Sequence, residues 1–168
     1  MGYIHDTNMA QFISPKCFSY VTGTFTETAG AVAGTVAINR AAANETSVIT
    51  VPIMIPSNGS ALKGSLLKSV EMDYELFTAE PTSITWTLNK VTRGADTAVA
   101  VVAAVTKTDT VAAAGAKTVD QHKQTVTLTT PAYIDDNEYY LLEMSMPAGA
   151  GGNTAKFYGA VANFTARL

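Results

Sequence analysis

Apolar and polar side chains alternate with a period of two along several segments of this sequence. The clearest is SVEMDYELF at residues 69–77, where Val70, Met72 and Tyr74 alternate with acidic residues. Successive side chains of a β-strand point to opposite faces of the sheet, so this period predicts half-buried strands. The period recurs in VITVPIMI (48–55), SITWTLNKV (83–91), QTVTLTT (124–130), EYYLLEMSM (138–146) and KFYGAVANFTARL (156–168).

The connections between these segments are rich in turn-forming residues. Examples are PSNGS (56–60), RGAD (93–96) and PAGAGGN (147–153). Gly, Pro, Asn and Asp favour turns through φ freedom, fixed φ and local side-chain hydrogen bonds. No amphipathic helical window of three turns occurs, and strands separated only by turns indicate antiparallel sheets. With weaker strand candidates in CFSYVTGTFT and GTVAIN, the sequence predicts an all-β fold: an antiparallel, jelly-roll-like β-sandwich of about eight strands.

The apolar sides of the alternating segments predict the core of this sandwich. In the closing segment the alternation sets Tyr158, Ala160, Ala162 and Phe164 on one side. Trp86 and the tyrosines could line a sugar site, but Trp86 lies on the apolar face of its strand, which favours the core. The expected core residues are Val70, Met72, Tyr74, Trp86, Leu88, Leu128, Leu142 and Phe164.

Residues 1–16 sustain neither a helical nor a strand period, so they predict an extended N-terminal arm ahead of a sandwich domain at 17–168. Ordering such an arm costs about 1–2 kcal/mol per residue, which only contacts can offset. We therefore expect the arm to bind a partner, either a neighbouring subunit or a shell beneath. The alternative is that it folds back on its own sandwich. Its candidate partner-binding residues are Tyr3, Ile4, Met9, Phe12 and Ile13.

The stretch 93–123 is rich in Ala, Val and Thr and is long for a connection. Loops beyond roughly 15 residues are usually functional or mobile. We interpret this stretch as an excursion with a short strand or hairpin near 97–106, used for contact or exposed at the outer surface.

Signatures of catalysis are missing from the sequence, which predicts neither an enzyme nor a cofactor site. No nucleophile elbow and no phosphate-binding glycine loop occurs. His5 and His122 each lack a second ligand at metal-binding spacing, so no metal site is expected. The carboxylate row Glu71, Asp73 and Glu75 could act as acid and base, but an exposed strand face that discourages aggregation is the favoured interpretation.

Charge and composition restrict the classes of partner that this chain can bind. The formal net charge of −3, with no run of Lys and Arg, argues against nucleic-acid binding. The longest apolar runs are too short to span a bilayer, so we expect no membrane partner. The first residues lack the basic segment and apolar stretch of a signal peptide, so we expect synthesis in a cytoplasm. Cys17 is the one cysteine and is expected to be a small buried residue. Only 15% of residues are charged, against about 25% in average domains, which suits burial in an assembly.

The segments from 62 to 165 resemble small jelly-roll virion proteins of tailed phages, of the head decoration (cement) type. The resemblance lies in LKSVEMDYEL, in SITWTLNKVTRGADT and in the run from QHKQTVTLTTPAYIDDNEYYLLEMSM to GAVANFT. It implies a structural protein on the capsid surface of a virion, made in the host cytoplasm. It further implies a homo-oligomer, most often a trimer, in contact with the major capsid protein.

Two functional hypotheses follow from these observations. The first is a capsid decoration protein that stabilises the shell by inter-subunit contacts. The alternative is a receptor- or glycan-binding β-sandwich module of a phage fibre or spike. Decoration predicts hundreds of copies per particle, whereas a fibre-tip module predicts a few.

Overall fold

The computed structural model of the chain describes residues 6–30, 32, 34–43, 45–57, 64–94, 100–109, 115–131, 133–147 and 153–167. Twelve strands lie in these ranges, with one 3-10 turn at Pro15–Cys17 and another at Gly115–Lys117. The strands are β1 (Asp6–Ile13), β2 (Ser19–Thr22), β3 (Phe25–Ala29), β4 (Val36–Ala43), β5 (Ser47–Ile53), β6 (Ser65–Phe77), β7 (Thr85–Thr92), β8 (Val101–Ala104), β9 (Lys107–Asp109), β10 (Gln121–Leu128), β11 (Glu138–Met146) and β12 (Asn153–Arg167).

The strands form two antiparallel sheets. The first sheet has the order β3-β4-β12-β6-β10-β9, with β1 paired to β12 beside β4. The second sheet has the order β2-β5-β11-β7-β8. The two inner faces pack into one hydrophobic core, which confirms the predicted all-β sandwich.

Eight of the strands give the jelly-roll topology. The four-stranded series β4-β12-β6-β10 faces β5-β11-β7-β8, and consecutive strands of the chain alternate between the two sheets at most steps. The expected number of about eight strands is nevertheless wrong, because β1, β2, β3 and β9 extend these sheets at their edges. The sequence pattern missed β1 and β9 because their side chains are mostly exposed and show no apolar alternation, whereas β2 and the start of β3 lie within the weaker strand candidate CFSYVTGTFT.

The core contains the eight residues that the sequence analysis named for it. All eight expected core residues are buried, and Trp86 packs against Tyr74 with ring centroids 5.7 Å apart. Pro52 lies where β5 has no neighbour on its outer side, since β2 pairs only as far as Thr50. A residue without an N–H group is tolerated at such an edge.

One part of the alternation in β12 is wrong. A β-bulge interrupts the pairing with β6 between Phe157 and Gly159. A bulge inserts one extra residue and so changes which face the preceding side chains occupy. As a result Phe157 is buried with Ala160, whereas Tyr158 points to the outer face of the first sheet.

The structure also shows where the excursion at 93–123 and Cys17 lie. The excursion at 93–123 contributes β8 to the edge of the second sheet and β9 to the edge of the first. All four side chains of β8 are exposed.

Cys17 is exposed, so the expectation that it is buried is wrong; the 3-10 turn buries the neighbouring Pro15 instead. Within the described ranges, the helical segments are single turns that could not cross a bilayer.

Candidate functional site

The outer face of the first sheet carries a row of three carboxylates along β6. Val70, Met72 and Tyr74 of this strand fill the core, so Glu71, Asp73 and Glu75 point away from it. On the β10 side the row faces Thr125, Lys123 and Gln121, in that order. On the β12 side it faces Val161, Gly159 and Lys156.

Glu71 is held by two neighbouring side chains. Lys123 Nζ lies 2.5 Å from Glu71 Oε2, and Asn163 Nδ2 donates to Glu71 Oε1 at 2.9 Å. The hydrogen bond from Lys123 is the main reason why the pKa of Glu71 lies below its usual range, with burial acting in the opposite direction. Glu71 is therefore a fixed, charged part of the face.

Glu75 accepts a hydrogen bond from the hydroxyl of Tyr158. Burial, and then the adjacent Glu75 carboxylate, raise the pKa of Tyr158 to about 12. The phenol therefore stays protonated at neutral pH and keeps donating to Glu75. The contact holds the Tyr158 ring in place on the outer face.

Asp73 differs from its two neighbours because it has no hydrogen-bond partner in the described part of the chain. It is half-buried, and this burial raises its pKa, while Lys123 acts in the opposite direction. Its carboxylate lines a hollow of 340 Å³ together with Thr35, Gln121, Tyr158 and two valines, Val32 and Val36. A carboxylate with unfilled acceptor sites in such a hollow can accept hydrogen bonds from a ligand.

An exposed aromatic ring lies on the opposite side of β12 from Asp73, in β1. Gly159 is the cross-strand partner of Asp73, and the ring of Phe12 fills the space beside Gly159. Phe12 is 63% exposed. The face thus combines an apolar ring, a phenol, an amide and a carboxylate within adjacent strands, whereas no cluster of three metal-ligating side chains occurs among the described residues.

The predicted partner-binding residues do not form one cluster. Tyr3 and Ile4 lie outside the described residues. Residues 6–13 form β1, which pairs with β12 of the same chain over its whole length. Ile13 is buried in the core, whereas Met9 is 44% exposed and Phe12 lies on the outer face. The partner-binding role of these residues and the division at residue 16 stay predictions.

An open groove runs beside β1, between this strand and the chain that follows β5. It has a volume of 720 Å³. Met54, on its far side, is 70% exposed. The lining residues are Met9, Ala10, Gln11, Phe12, Met54, Ile55, Pro56, Ser57 and Phe164.

Sequence reasoning identified the carboxylate row but missed the residues that complete the face. Gln121, Tyr158 and Asn163 come from strands far from β6 in the chain, and only strand pairing brings them together. For Tyr158 a signal existed: the glycine that follows it is the type of residue at which a strand often bulges.

No family model matches this sequence, and no curated protein matches it. Among solved structures, a carbohydrate-binding module of the β-sandwich superfamily is similar at 11% identity and a TM-score of 0.45, covering 95% of this chain and 56% of that one. A family two carbohydrate esterase from Cellvibrio japonicus is similar at 8% identity and a TM-score of 0.41, covering 98% of this chain and 36% of that one.

A third structure, TmCBM61 in complex with β-1,4-galactotriose, is similar at 8% identity and a TM-score of 0.41, covering 92% of this chain and 86% of that one. The present chain therefore spans about half, or less, of the length of the first two structures. These values describe a distant likeness in overall architecture, and no residue role is transferred from it.

Proposed function

We propose that this chain is a non-enzymatic binding module that holds a neutral glycan on the outer face of its first sheet. The observation that carries the proposal is the half-buried Asp73 carboxylate, which lacks a hydrogen-bond partner among the described residues and lines a hollow beside Gln121 and Tyr158. This carboxylate keeps free acceptor capacity towards the hollow, and a ligand hydroxyl can supply the donor.

The side chains around the hollow match the chemistry of a sugar. Each sugar hydroxyl donates and accepts hydrogen bonds, Asp73 accepts, and the Gln121 amide does both. The exposed ring of Phe12 and the ring of Tyr158 offer apolar surface to the C–H face of a pyranose. A volume of 340 Å³ lies at the lower end of the roughly 300–1,000 Å³ of small-ligand sites, which suits one or two sugar units.

The charge of the face restricts the class of glycan. The face carries three carboxylates, Glu71, Asp73 and Glu75, and two ammonium groups, Lys123 and Lys156. Lys123 is already engaged by Glu71. Uronic, sialylated or sulfated sugars would meet like charges at Asp73, so neutral hexoses and N-acetylhexosamines are the expected ligands.

The test is a glycan array of neutral and anionic oligosaccharides, followed by calorimetric titration with the neutral oligosaccharide that gives the strongest signal. We expect retention of neutral oligosaccharides and no retention of anionic ones. Asp73→Ala should weaken binding at least tenfold, because it removes the acceptor. Asp136→Ala serves as the matched control, because Asp136 is an exposed aspartate outside the hollow.

Two results would contradict the proposal. One is an array on which no oligosaccharide is retained. The other is a titration in which Asp73→Ala binds the selected oligosaccharide as tightly as the parent protein, which would move the site away from the carboxylate row.

A second candidate is a structural subunit of a repeating assembly, such as a decoration protein on a virion capsid. The observation that favours it is β1, a strand that pairs only with β12 within the described residues and adjoins the open groove. A trimer in contact with a major capsid protein is the form that the sequence resemblance implies. Quantitative mass spectrometry of the source particle separates the candidates, since a decoration protein is present in hundreds of copies and a fibre-tip module in a few.

A further inference from the structure

The strands at the sheet edges differ in how far they are protected from pairing with another chain. Five strands lie at edges in the described part of the fold: β1, β3 and β9 in the first sheet, β2 and β8 in the second. Native edges are usually protected by short length, charged side chains, prolines or bulges.

Four of these edges carry such protection. β8 and β2 have four residues each, and β2 also has a bulge between Tyr20 and Thr22. β9 has three residues, of which Lys107 and Asp109 are charged. β3 presents Glu27, which lies 2.8 Å from Lys16 in an ion pair.

β1 carries none of this protection except at its first residue. It has eight residues and contains no Lys, Arg or Pro; Asp6 supplies its one charge. Its ladder to β12 runs from Asp6 to Ile13 without a register shift. Seven of its eight residues are exposed, and the open groove with Met54 runs beside it. A long, regular, weakly charged edge of this kind is a template for strand addition.

We propose that β1 pairs antiparallel with β1 of a second copy across a two-fold axis, so that two first sheets join into one. This inference deepens the structural-subunit candidate and does not depend on the glycan site. It commits to a second copy because an antiparallel self-pair of β1 brings no like charges opposite each other. In an antiparallel self-pair the two Asp6 residues lie at opposite ends of the new ladder.

The faces of β1 restrict the register of this pair. Directly opposed side chains of a sheet share one face, so a residue must oppose one of the same parity. Two centred registers satisfy this condition: Met9 opposite Met9 of the second copy, or Ala10 opposite Ala10. In the first, Asp6 opposes Phe12; in the second, Asp6 passes beyond Ile13.

The neighbouring strands limit the pair to the length of β1. Beyond Ile13, the same side of β12 is taken by β4, and β3 lies outside β4. An added strand therefore has room along Asp6–Ile13 and ends at β3. The groove beside β1 adds apolar surface to the main-chain hydrogen bonds, as a stable interface requires.

The test is sedimentation velocity of the full chain at micromolar concentrations. We expect a dimer for the parent and a monomer for the double variant Met9→Lys/Ala10→Lys, which places lysines against each other in either register. The control is Val101→Lys, which puts the same charge on the exposed edge of β8 and should leave the dimer intact. Thermal melts check that each variant is folded.

Cysteine pairing gives a second readout that does not depend on a destabilising variant. In a Cys17→Ser background, either Met9→Cys or Ala10→Cys should form a disulfide-linked dimer under mild oxidation, because opposed Cα atoms of a β-pair lie within the roughly 4.4–6.8 Å that a disulfide spans. Val101→Cys should not.

Several outcomes overturn the inference. A parent that sediments as a monomer removes both the inference and its support for the structural-subunit candidate. A trimer, or a dimer that survives Met9→Lys/Ala10→Lys, leaves that candidate standing and places the interface elsewhere. Binding of residues 1–5 or of another protein along β1 would appear as a monomer without cross-links.

Discussion

The ring of Phe12 occupies the space in which a Cβ atom would stand at Gly159. An ideal Cβ built at this glycine would lie 2.6 Å from both Cε2 and Cζ of the ring and 3.1 Å from the Ile13 carbonyl oxygen. The φ angle of Gly159 is +143°, a value that residues with a Cβ rarely adopt. The bulge in β12 thus leaves space for the Phe12 ring of β1, and it also turns Tyr158 towards the carboxylate row.

Gly159→Ala should therefore destabilise the protein. Both the clash with Phe12 and the positive φ act against the new methyl group, and a backbone in such a region costs about 1–3 kcal/mol by itself. Chemical denaturation of the parent, Gly159→Ala, Phe12→Ala and the double variant separates the cost of the clash from the cost of the positive φ. The double variant should lose less free energy of unfolding than the two single variants together, because removing the ring removes the clash. Strict additivity would show that Phe12 is not the obstacle.

Gln124→Leu should stabilise the protein by about 1–2 kcal/mol. Gln124 is buried, and neither its Nε2 nor its Oε1 has a hydrogen-bond partner among the described residues. Leucine removes both polar atoms at a similar volume. The control is Gln121→Leu on the same strand, which exchanges an exposed glutamine and should leave the free energy of unfolding nearly unchanged. A lower free energy of unfolding for Gln124→Leu would mean that the amide makes hydrogen bonds in solution.

Glu71→Gln and Asp73→Asn should change stability in opposite directions at neutral pH. The pKa of Glu71 is lowered in the folded protein, mainly by Lys123, so its charge stabilises the fold above the unfolded pKa of about 4.3. This contribution is lost as the pH falls through the folded pKa. Glu71→Gln should therefore lower the melting temperature at pH 7 by about 1–3 °C, and the difference should vanish in acid.

The sign is reversed for Asp73, since burial raises its pKa above the unfolded value of about 3.9. The folded state then binds its proton more tightly, and stability decreases as the pH rises through the folded pKa. Asp73→Asn should therefore raise the melting temperature at pH 7 and have no effect below the unfolded pKa. Thermal melts of both variants from pH 3 to pH 8 check this, and parallel behaviour of the two would contradict it.

Trp86→Ala should cost about 3–5 kcal/mol of unfolding free energy. Trp86 is only 7% exposed and packs against the buried ring of Tyr74, so truncation leaves a cavity between the two sheets. Urea unfolding measures the loss. A loss below about 1 kcal/mol would show that the sandwich closes over the missing side chain.

The glycan and assembly surfaces are partly linked through Phe12. Its ring contacts Gly159, the cross-strand partner of Asp73, while its strand is the edge that we propose to pair with a second copy. In the register that places Met9 opposite Met9, Asp6 of the second copy would oppose Phe12. The double variant Met9→Lys/Ala10→Lys leaves Phe12 in place, so the array experiment on this variant reports the glycan site in the absence of the dimer.

The alternation of apolar residues by itself determined the central strands and their buried faces, and it predicted no helical layer, in agreement with the residues that the structure describes. Met72, Trp86 and Leu142 could be placed in the core from their own segments, because the two-residue period of a strand is a local property. The same period did not reveal β1, whose exposed side chains show no alternation. It also gave the wrong face for Tyr158, because a bulge breaks the period within the strand.

Tertiary structure alone decided which side chains share the candidate site and which edge stays open. Asp73, Gln121 and Tyr158 come from three strands, and their proximity depends on the register between segments far apart in the chain. Register follows from the packing of both sheets together, since a slip of one residue moves a whole strand's side chains to the other face. No local pattern contains that information. The position of β1 depends in turn on where the pairing of β4 with β12 ends, because β1 takes the next part of the same side of β12. The pairing of β1 with β12 joins segments near the two ends of the given sequence, and a local pattern cannot predict it.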